Sequence, residues 1–367
     1  STDNTAALLD GLDGIRVFHL EPCGLSAARN FGASQATGEI LAYTDDDCSP
    51  DIHWLSWLAH TYATTNHQAI GGPNLPPLPE SLGLALTTSA PGAPTHVMLG
   101  DTLAEHLPGC HLSVRKKTFD EIKGFDPIFE TAGDDVDFCW RLRDAGHTLG
   151  FSGASFVWHH RRTTPWRYLK QQMGYGRAEA LLFRKHPERF ADNGIRWEGC
   201  VYQGSPLGVQ TGDVIYSGPT GEAGYQSIAH TRWRHNRDLA PAYNSSFNRL
   251  LLGLLSTAQF YLRAWSRKKH GGPGINRFTW QTSAPLIPTR SKLTLINLEG
   301  LTRHQLYRHL LARGWEPSSQ DNWDLHQKDV HLRAATEQTG THYNRTFVAF
   351  THSRPPHDFL KLASEAG

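Results

Sequence analysis

The sequence has 367 residues, with 36 Lys and Arg, 35 Asp and Glu, and five cysteines. This length exceeds that of a typical single domain, so we expect one large domain and a smaller second unit. The balanced charge excludes the strong positive field of a nucleic-acid-binding protein, so no nucleic acid partner is expected. The cysteines are widely spaced and contain no C-x-x-C pair, which favours reduced thiols and a cytoplasmic location.

The first half of the chain alternates short apolar strands with helical patterns, which predicts a layered α/β domain. The predicted elements are a strand over 15–20, a helix over 25–36, a strand over 40–44, a helix from about 51, a Gly- and Pro-rich loop over 71–94, a strand over 111–115, a helix over 134–145, a strand ending at 157–158 and a helix over 165–185. We expect this domain to close near residue 195.

Beyond residue 195 the pattern is less regular. The apolar stretch over 250–262 is interrupted by polar residues and followed by basic ones, which predicts an amphipathic helix. This helix either packs on the first domain or lies peripherally on the inner face of a membrane, and the sequence leaves both open. A helix over 303–313 and strands over 329–334 and 346–351 predict a small α+β unit. The expected domains are therefore 1–195, 196–285 (irregular and helical) and 286–367.

Three consecutive carboxylates, Asp45, Asp46 and Asp47, follow the predicted strand over 40–44. Ligands of open α/β sheets collect at the carboxyl ends of strands. Asp45 and Asp47 occupy alternating positions, so an extended segment would turn both toward one cation. Their hard oxygens suit Mg²⁺ or Mn²⁺ bridged to a phosphate. A solvated acidic turn is the alternative explanation.

Two further segments carry charged groups beside predicted helix starts. Gly24 to Asn30 forms a turn into a helix with Arg29, whose guanidinium suits a phosphate or a base edge, although an ordinary surface arginine fits equally. Asp134 and Asp135 open another helix, where acidic residues are favourable for structural reasons alone. In a functional interpretation, one of these carboxylates removes a proton from an attacking hydroxyl.

Adjacent histidines, His159 and His160, follow a predicted strand and precede two arginines. Neutral imidazole suits manganese, and the arginines suit phosphate oxygens. The pair is weak evidence by itself, so its interpretation depends on the other segments.

Together these segments resemble the successive motifs of a family-2 glycosyltransferase with the A-type (GT-A) fold. The matching segments are 24–30, 44–50, 133–142 and 157–162, with Lys123-Gly124-Phe125-Asp126 leading into the acidic helix. The resemblance covers about residues 1–186. It implies a three-layer Rossmann-like nucleotide-diphospho-sugar transferase domain, followed here by a smaller, irregular α+β C-terminal region.

The resemblance also implies roles for individual residues. Asp45 and Asp47 resemble the metal-binding D-x-D pair, and His159 resembles the histidine that completes the metal or diphosphate site. Asp135 resembles the catalytic base, with Asp134 beside it. Arg29 and Asn30, with Asp45, Asp46 and Asp47, fall at donor-binding positions. Gln172 and Arg177 fall where relatives hold the acceptor or the diphosphate.

Two positions depart from the family pattern. Ser1-Thr2-Asp3 resembles the end of the family's D-G-S-T-D stretch, so we expect the first strand, which supplies part of the nucleoside pocket, to be missing. Cys110-His111 stands where relatives often have a small residue and Asn, which leaves the acceptor contacts open.

Other protein classes fit the sequence less well. A nucleotide-sugar pyrophosphorylase should open on a Gly-rich loop and should lack the acidic helix. A dinucleotide dehydrogenase needs a third glycine that the segment 174–177 lacks. A non-catalytic carbohydrate- or nucleotide-sugar-binding relative remains the alternative of a different class.

The resemblance therefore predicts an enzyme that transfers a sugar from a nucleotide-diphosphate donor to an acceptor hydroxyl. It implies dependence on Mn²⁺ or Mg²⁺ and inversion of the anomeric centre by direct displacement. The acceptor, whether a carbohydrate, a lipid or a small molecule, is left open.

Overall fold

A computed structural model describes residues 3–201 except 78, 94–95, 100–102, 154, 192–193 and 199, together with 239–274, 291–297, 303–317, 325–339, 343–357 and 359–361. The helices of these residues are α1 (Thr5–Asp10), α2 (Leu25–Gln35), α3 (Trp54–Thr64), α4 (Leu82–Ser89), α5 (Lys116–Glu121), α6 (Asp134–Asp144), α7 (Pro165–Lys185), α8 (Ser246–Lys269) and α9 (Arg303–Leu311).

The strands divide between the part of the chain before residue 202 and the part after residue 290. They are β1 (Ile40–Thr44), β2 (Cys48–Pro50), β3 (Ala69–Gly71), β4 (Asn74–Leu75), β5 (Val97–Met98), β6 (Leu103–His106), β7 (His111–Arg115), β8 (Leu149–Phe151), β9 (Val157–His159), β10 (Phe190–Ala191), β11 (Gly194–Ile195), β12 (Cys200–Val201), β13 (Ser291–Asn297), β14 (Glu316–Pro317), β15 (Leu325–Gln327), β16 (Val330–Thr339) and β17 (Tyr343–Phe350).

A mixed seven-stranded sheet in the order β1-β7-β3-β8-β6-β5-β12 forms the centre of the first part. β3 and β8 are parallel, and the other neighbours pair antiparallel. β2, β9 and β4 form a small second sheet in which Cys48 lies opposite His159. The α/β class predicted from the sequence is confirmed.

Helices cover both faces of the central sheet. Ala69 and Ile70 are adjacent in β3 and therefore point to opposite faces. Ala69 packs in a core that α2, α5 and α6 supply, with Phe119, Phe138 and Leu142 among its members. Ile70 packs with Trp54, Leu58 and Tyr62 of α3. The domain thus has the three layers expected of it.

The long helices α7 and α8 pack on each other through a glycine and a buried charge cluster. A Cβ placed on Gly176 would lie 2.2 Å from the carbonyl oxygen of Arg263, so only glycine permits this approach. Glu179 binds Arg263 at 2.7 Å and Arg267 at 2.6 Å. Because the Glu179 carboxylate is buried, these two cations fix the position of one helix on the other.

The part after residue 290 forms a separate antiparallel sheet in the order β13-β17-β16-β15-β14. Leu306 and Leu310 of α9 pack against Leu332, Val348 and Phe350 of this sheet. This confirms the smaller α+β region predicted at the C-terminal end. No helix in the described part of the chain is both long enough and apolar enough to cross a membrane.

Three sequence-based expectations about local structure are wrong. The segment 15–20 is not a strand: no described strand pairs with it, and Ile15, Phe18 and Leu20 are exposed. The predicted loop 71–94 contains β4 and α4, because Ser81 Oγ caps the amide of Leu84 at 3.3 Å and starts a helix. The helix expected from about residue 51 begins only at Trp54, and Ile52 lies before it and is 88% exposed.

The proposed domain boundaries of 1–195, 196–285 and 286–367 stay a prediction. β12 at residues 200–201 pairs with β5 of the central sheet, and α8 packs on α7, so both features bear on where the first domain ends. Part of the expected 196–285 segment, residues 202–238 and 275–285, lies outside the described residues.

Candidate active site

The N-terminus of α2 is fixed against the loop that leads into α6. Gly24 precedes the helix with φ +82°, a left-handed conformation that glycine adopts without strain. Ser26 Oγ donates to the carbonyl oxygen of Phe129 at 2.6 Å, across 103 residues of sequence. This contact places Arg29, one turn further along α2, beside the start of α6.

Arg29 lies between two carboxylates from different elements. Its guanidinium donates to Asp134 Oδ2 at 2.5 Å and to Asp45 Oδ1 at 2.8 Å. The Arg29 side chain is 8% exposed and that of Asp134 is 2% exposed, whereas that of Asp45 is 34% exposed. Asp134 of α6 therefore neutralises the buried Arg29, and Asp45 remains accessible at the end of β1.

Asn30 supports Arg29 indirectly. Its side-chain amide donates to the carbonyl oxygen of Phe125 at 2.8 Å and accepts from the Phe125 amide at 2.9 Å. The Phe125 ring lies 5.5 Å from the Arg29 guanidinium carbon. The Asn30 side chain thus hydrogen-bonds the Phe125 backbone with both its oxygen and its nitrogen. In this way Asn30 fixes the position of the ring that contacts the Arg29 guanidinium.

Asp134 and Asp135 are neighbours with opposite electrostatic surroundings. Burial and the charge of Asp135 raise the pKa of Asp134, against the opposing effect of Arg29. Burial also acts to raise the pKa of Asp135, but His106, the Gly109 amide and Arg29 outweigh it and lower that pKa. The Gly109 amide donates to Asp135 Oδ2 at 2.9 Å, and His106 Nε2 lies 3.6 Å from the same oxygen.

Of the two carboxylates, Asp135 is the one with access to a ligand. Its side chain is 20% exposed, in contrast to the enclosed Asp134. Asp135 is ionised at neutral pH and can accept a proton, while Asp134 neutralises Arg29. The sequence analysis did not identify Gly109 or His106 as partners of Asp135. The one sequence feature that could have pointed to Gly109 is its position two residues before a predicted strand.

The acidic segment after β1 forms a tight turn, not the extended segment that the sequence suggested. The Cys48 amide donates to the Asp45 carbonyl oxygen at 3.1 Å, which closes the turn. Asp46 is exposed at its tip. The Oδ1 atom of Asp47 lies 3.3 Å from His159 Nε2. Asp45 therefore contacts Arg29, whereas Asp47 contacts His159.

His159 is held in one tautomer by its neighbours. Arg161 approaches its Nδ1 at 2.9 Å, and an arginine can only donate, so Nδ1 accepts and Nε2 carries the proton toward Asp47. Arg162 lies 3.7 Å from Asp47 Oδ2. The buried Nε of Arg161 has no hydrogen-bond partner in the described structure, so this guanidinium retains donor capacity for an anion.

A pocket opens beside Asp47 and His159. Its lining includes His160, Arg161, Arg162, Tyr168, Gln171 and Gln172. Gln172 is buried, and its side chain contacts the loop before β5. Its Nε2 donates to the carbonyl oxygen of Gly92 at 3.0 Å. Arg177 is exposed on α7 and is not among the lining residues.

Two cysteines also lie at this site. Cys48 is opposite His159 in the small sheet, and Cys110 Sγ lies 3.8 Å from His159 Nδ1. His111, in contrast, is turned away and accepts from the Trp54 indole at 2.8 Å. Of the unusual Cys110-His111 pair noted in the sequence, Cys110 thus lies at the site and His111 lies in the core.

Three comparisons with known proteins bear on this arrangement. Residues 1–119 match the family model described as glycosyl transferase family 2. The chain is 30% identical over 181 residues to a pre-mycofactocin glycosyltransferase of Mycobacterium tuberculosis, a match that covers 47% of this chain and 38% of that protein. It is 29% identical over 165 residues to the glycosyltransferase AglE of Haloferax volcanii, covering 44% of this chain and 53% of that protein.

The chain thus spans less than two thirds of the length of these curated relatives. Among solved structures, it is similar to the mannosyltransferase PcManGT from Pyrobaculum calidifontis in complex with GDP-Man and Mn²⁺. That similarity has a TM-score of 0.38 and 14% identity, and it covers 74% of this chain and 61% of that one.

Proposed function

We propose that this chain, whose residues 1–119 match the glycosyl transferase family 2 model, transfers a sugar from a nucleotide-diphosphate donor to an acceptor hydroxyl. The observation that carries the proposal is one convergence. Arg29, Asp45 and Asp134 come from three elements up to 105 residues apart and meet in one ion-paired cluster, with Asp135 and the Asp47–His159 pair beside it.

The residues that would hold a divalent metal are Asp47 and His159, which lie 3.3 Å apart, together with Asp45 of the same turn, which binds Arg29. The ligand atoms of these three residues do not all lie within 4.8 Å of one another, so binding requires Asp45 to turn from Arg29 toward the ion. Carboxylate and imidazole donors together suit Mn²⁺, and carboxylates alone suit Mg²⁺. When bound there, the metal would supply charge neutralisation for the diphosphate of the donor.

The arginines beside the pocket suit the same diphosphate. Arg161 has a buried nitrogen that donates to none of the described residues, and Arg162 reaches Asp47 only at 3.7 Å, so both can turn to phosphate oxygens. Their positive charge would stabilise the leaving nucleoside diphosphate as the bond to the sugar breaks. Gln172 and Arg177, the acceptor or diphosphate positions suggested by resemblance, would act less directly, Gln172 by fixing the pocket wall.

Asp135 is the proposed base. Its Oδ2 is held by the Gly109 amide, which orients the carboxylate and keeps it ionised. An ionised, oriented and partly exposed carboxylate can take the proton of an acceptor hydroxyl as that oxygen attacks the anomeric carbon. A single base and no covalent intermediate would give inversion by direct displacement.

A peripheral contact with a membrane remains a proposal about the acceptor side. The outward side chains Phe247, Leu250, Leu254 and Trp265 of α8 are each more than half exposed, and Lys268 and Lys269 follow them. An apolar helix face next to basic residues suits an anionic lipid surface. Co-sedimentation with anionic and with neutral vesicles tests it, and equal recovery in the supernatant for both would contradict it.

The experiment that tests the proposed function measures release of nucleoside diphosphate from a panel of UDP- and GDP-sugars, with and without Mn²⁺. We expect one nucleotide class to be turned over only with metal, and we expect Asp135→Asn to lower that turnover by about 10²–10⁴-fold. No metal-dependent release from any donor would favour the alternative, a non-catalytic nucleotide-sugar-binding relative.

A further inference from the structure

Cys48 and Cys110, two thiols that the proposed reaction does not use, form a compact group with His159. One potential ligand atom from each lies within 4.8 Å of the others. Two independent features of the fold bring them together: Cys48 and His159 are cross-strand neighbours of β2 and β9, and Cys110 ends the turn before β7. Their backbone positions are thus set by strand pairing.

The distances are close to those of a tetrahedral zinc site. With Zn–S near 2.3 Å and Zn–N near 2.1 Å, adjacent ligand atoms of such a site lie about 3.4–3.8 Å apart. Cys110 Sγ and His159 Nδ1 are already 3.8 Å apart. The remaining separations of at most 4.8 Å close by about 1 Å through side-chain rotation.

Asp47 lies on the other edge of the imidazole and supports it from there. Asp47 Oδ1 is 3.3 Å from His159 Nε2, so the Nε2 proton stays directed at this carboxylate when Nδ1 ligates a metal. Two sulfurs and one imidazole nitrogen form a donor set that prefers Zn²⁺ to the hard ions Mg²⁺ and Mn²⁺.

The charge balance permits such binding although Arg161 and Arg162 lie nearby. Both thiols lose their protons when they ligate zinc, so two positive charges arrive and two protons leave. The net charge of the group therefore does not change. Arg161, which occupies His159 Nδ1 at 2.9 Å, must release that nitrogen, and its guanidinium can then donate to the new thiolates.

We propose that Cys48, Cys110 and His159 Nδ1 form a thiophilic metal site for Zn²⁺, in which Asp47 accepts from His159 Nε2 and orients the imidazole. Because His159 then keeps its proton on Nε2, it cannot also hold the metal that supports donor binding, so zinc inhibits the enzyme. The existence of the site depends only on its own geometry; the inhibition rests on the proposed function.

Cobalt(II) is the probe for the site itself, because thiolate ligation gives it a charge-transfer absorption that oxygen and nitrogen ligands do not. The full chain is titrated with Co²⁺ in the presence of a phosphine reductant, and Zn²⁺ is then added to displace it. We expect thiolate bands in the parent and in Cys23→Ser, which removes an exposed thiol elsewhere.

Cys48→Ser and Cys110→Ser should each lose these bands and bind Zn²⁺ more than about a hundredfold more weakly, a larger effect than loss of most outer-shell partners. Cys110 is buried, so Cys110→Ser carries a risk of misfolding. Cys48 is only partly buried at the start of β2, and the Cys48→Ser result alone decides whether the site exists. Absence of thiolate bands in the parent, or bands unchanged in Cys48→Ser, would overturn the site.

The inhibition is tested separately by titrating the nucleotide in the presence of Mn²⁺, with and without one equivalent of Zn²⁺. We expect zinc to weaken nucleotide binding in the parent and to have no effect in Cys48→Ser. If zinc binds and nucleotide affinity does not change, the competition is refuted. If no variant binds nucleotide with Mn²⁺, the proposed function fails, while the cobalt spectra still decide the thiophilic site.

Discussion

Asp134 and Asp135 follow each other in sequence but perform different tasks in the proposed site. Asp134 is enclosed and neutralises Arg29 at 2.5 Å, and its raised pKa reflects burial and the neighbouring charge. Asp135 is held ionised by a backbone amide and His106. Two adjacent carboxylates with divergent surroundings commonly divide the structural and chemical roles of a site.

Asp135→Asn should therefore remove transfer and leave donor binding intact. The amide keeps the size of the carboxylate but cannot take a proton, so we expect turnover to fall by about 10²–10⁴ with little change in nucleotide affinity. Steady-state kinetics and nucleotide titration measure the two quantities. Asp144→Asn, at the exposed end of the same helix, is the matched control, and equal losses in both variants would contradict the assignment.

Gly109 is a second residue whose identity matters. A Cβ at this position would lie 2.5 Å from one guanidinium nitrogen of Arg29 and 2.8 Å from the other. Arg29 is held between two carboxylates, so it cannot yield without losing one of them. Gly109→Ala should lower turnover by roughly 10²-fold, as expected for a displacement near 1 Å in a reacting site.

The control for that change is Gly32→Ala, on the same helix as Arg29, where an added Cβ meets nothing within 4 Å. Alanine at this exposed helical position should be neutral or slightly stabilising. Turnover of Gly109→Ala equal to that of Gly32→Ala would show that Arg29 does not depend on the Gly109 contact.

At the scale of elements, the α7–α8 pair presents a matched comparison of two glycines. Both Gly174 and Gly176 lie within α7, but a Cβ at Gly174 meets nothing within 4 Å, whereas one at Gly176 would lie 2.2 Å from the Arg263 carbonyl oxygen. Gly176→Ala should cost about 1–3 kcal/mol through overpacking, and Gly174→Ala should add up to about 1 kcal/mol of stability. Urea unfolding of both variants measures these changes, and equal effects would contradict the packing.

The joint between α6 and α7 predicts a dependence of stability on pH. Asp137 is buried and binds Arg141 at 2.7 Å, and Lys185 and His186 at 2.8 Å each. Burial acts to raise the pKa of Asp137, but these partners outweigh it and lower the pKa to about 2. A carboxyl with a depressed pKa stabilises the fold above its ordinary value near 3.8 and loses that contribution as the pH falls toward 2.

Asp137→Asn should consequently lower the free energy of unfolding at pH 7 by about 2 kcal/mol. The difference between parent and variant should shrink steadily as the pH falls from about 5 to 2, because the parent carboxyl is then protonated. Denaturant unfolding at several pH values in this interval measures it. A difference that stays constant over the interval would mean that the Asp137 charge contributes nothing.

At the scale of the whole molecule, the sequence predicted the α/β class and most helices because their periodic apolar faces are local. The helix at 165–185 has the predicted ends, since Thr164 caps it and Pro165 starts it. The prediction of a strand over 15–20 was wrong because a strand needs a neighbouring strand to pair with, and apolar alternation does not reveal whether one is present.

The sequence indicated candidate site residues but not the contacts between them. The resemblance named Arg29, Asp45, Asp135 and His159, whose roles stay predictions, whereas the ion pair between Arg29 and Asp134 spans 105 residues and has no local signal. Likewise the approach of Cys110 to His159 follows from the register of two sheets, which single-sequence reasoning does not provide.

The central claim, a metal-assisted nucleotide-diphosphate site at the end of β1, is tested most directly by calorimetric titration of UDP and GDP with and without Mn²⁺. The parent and Glu39→Ala, which removes an exposed carboxylate at the opposite end of β1, should bind one nucleotide only when metal is present. Asp47→Ala should lose most of that metal-dependent affinity. Equal metal-dependent affinity of Asp47→Ala and the parent, or no nucleotide binding by the parent at all, would contradict the account.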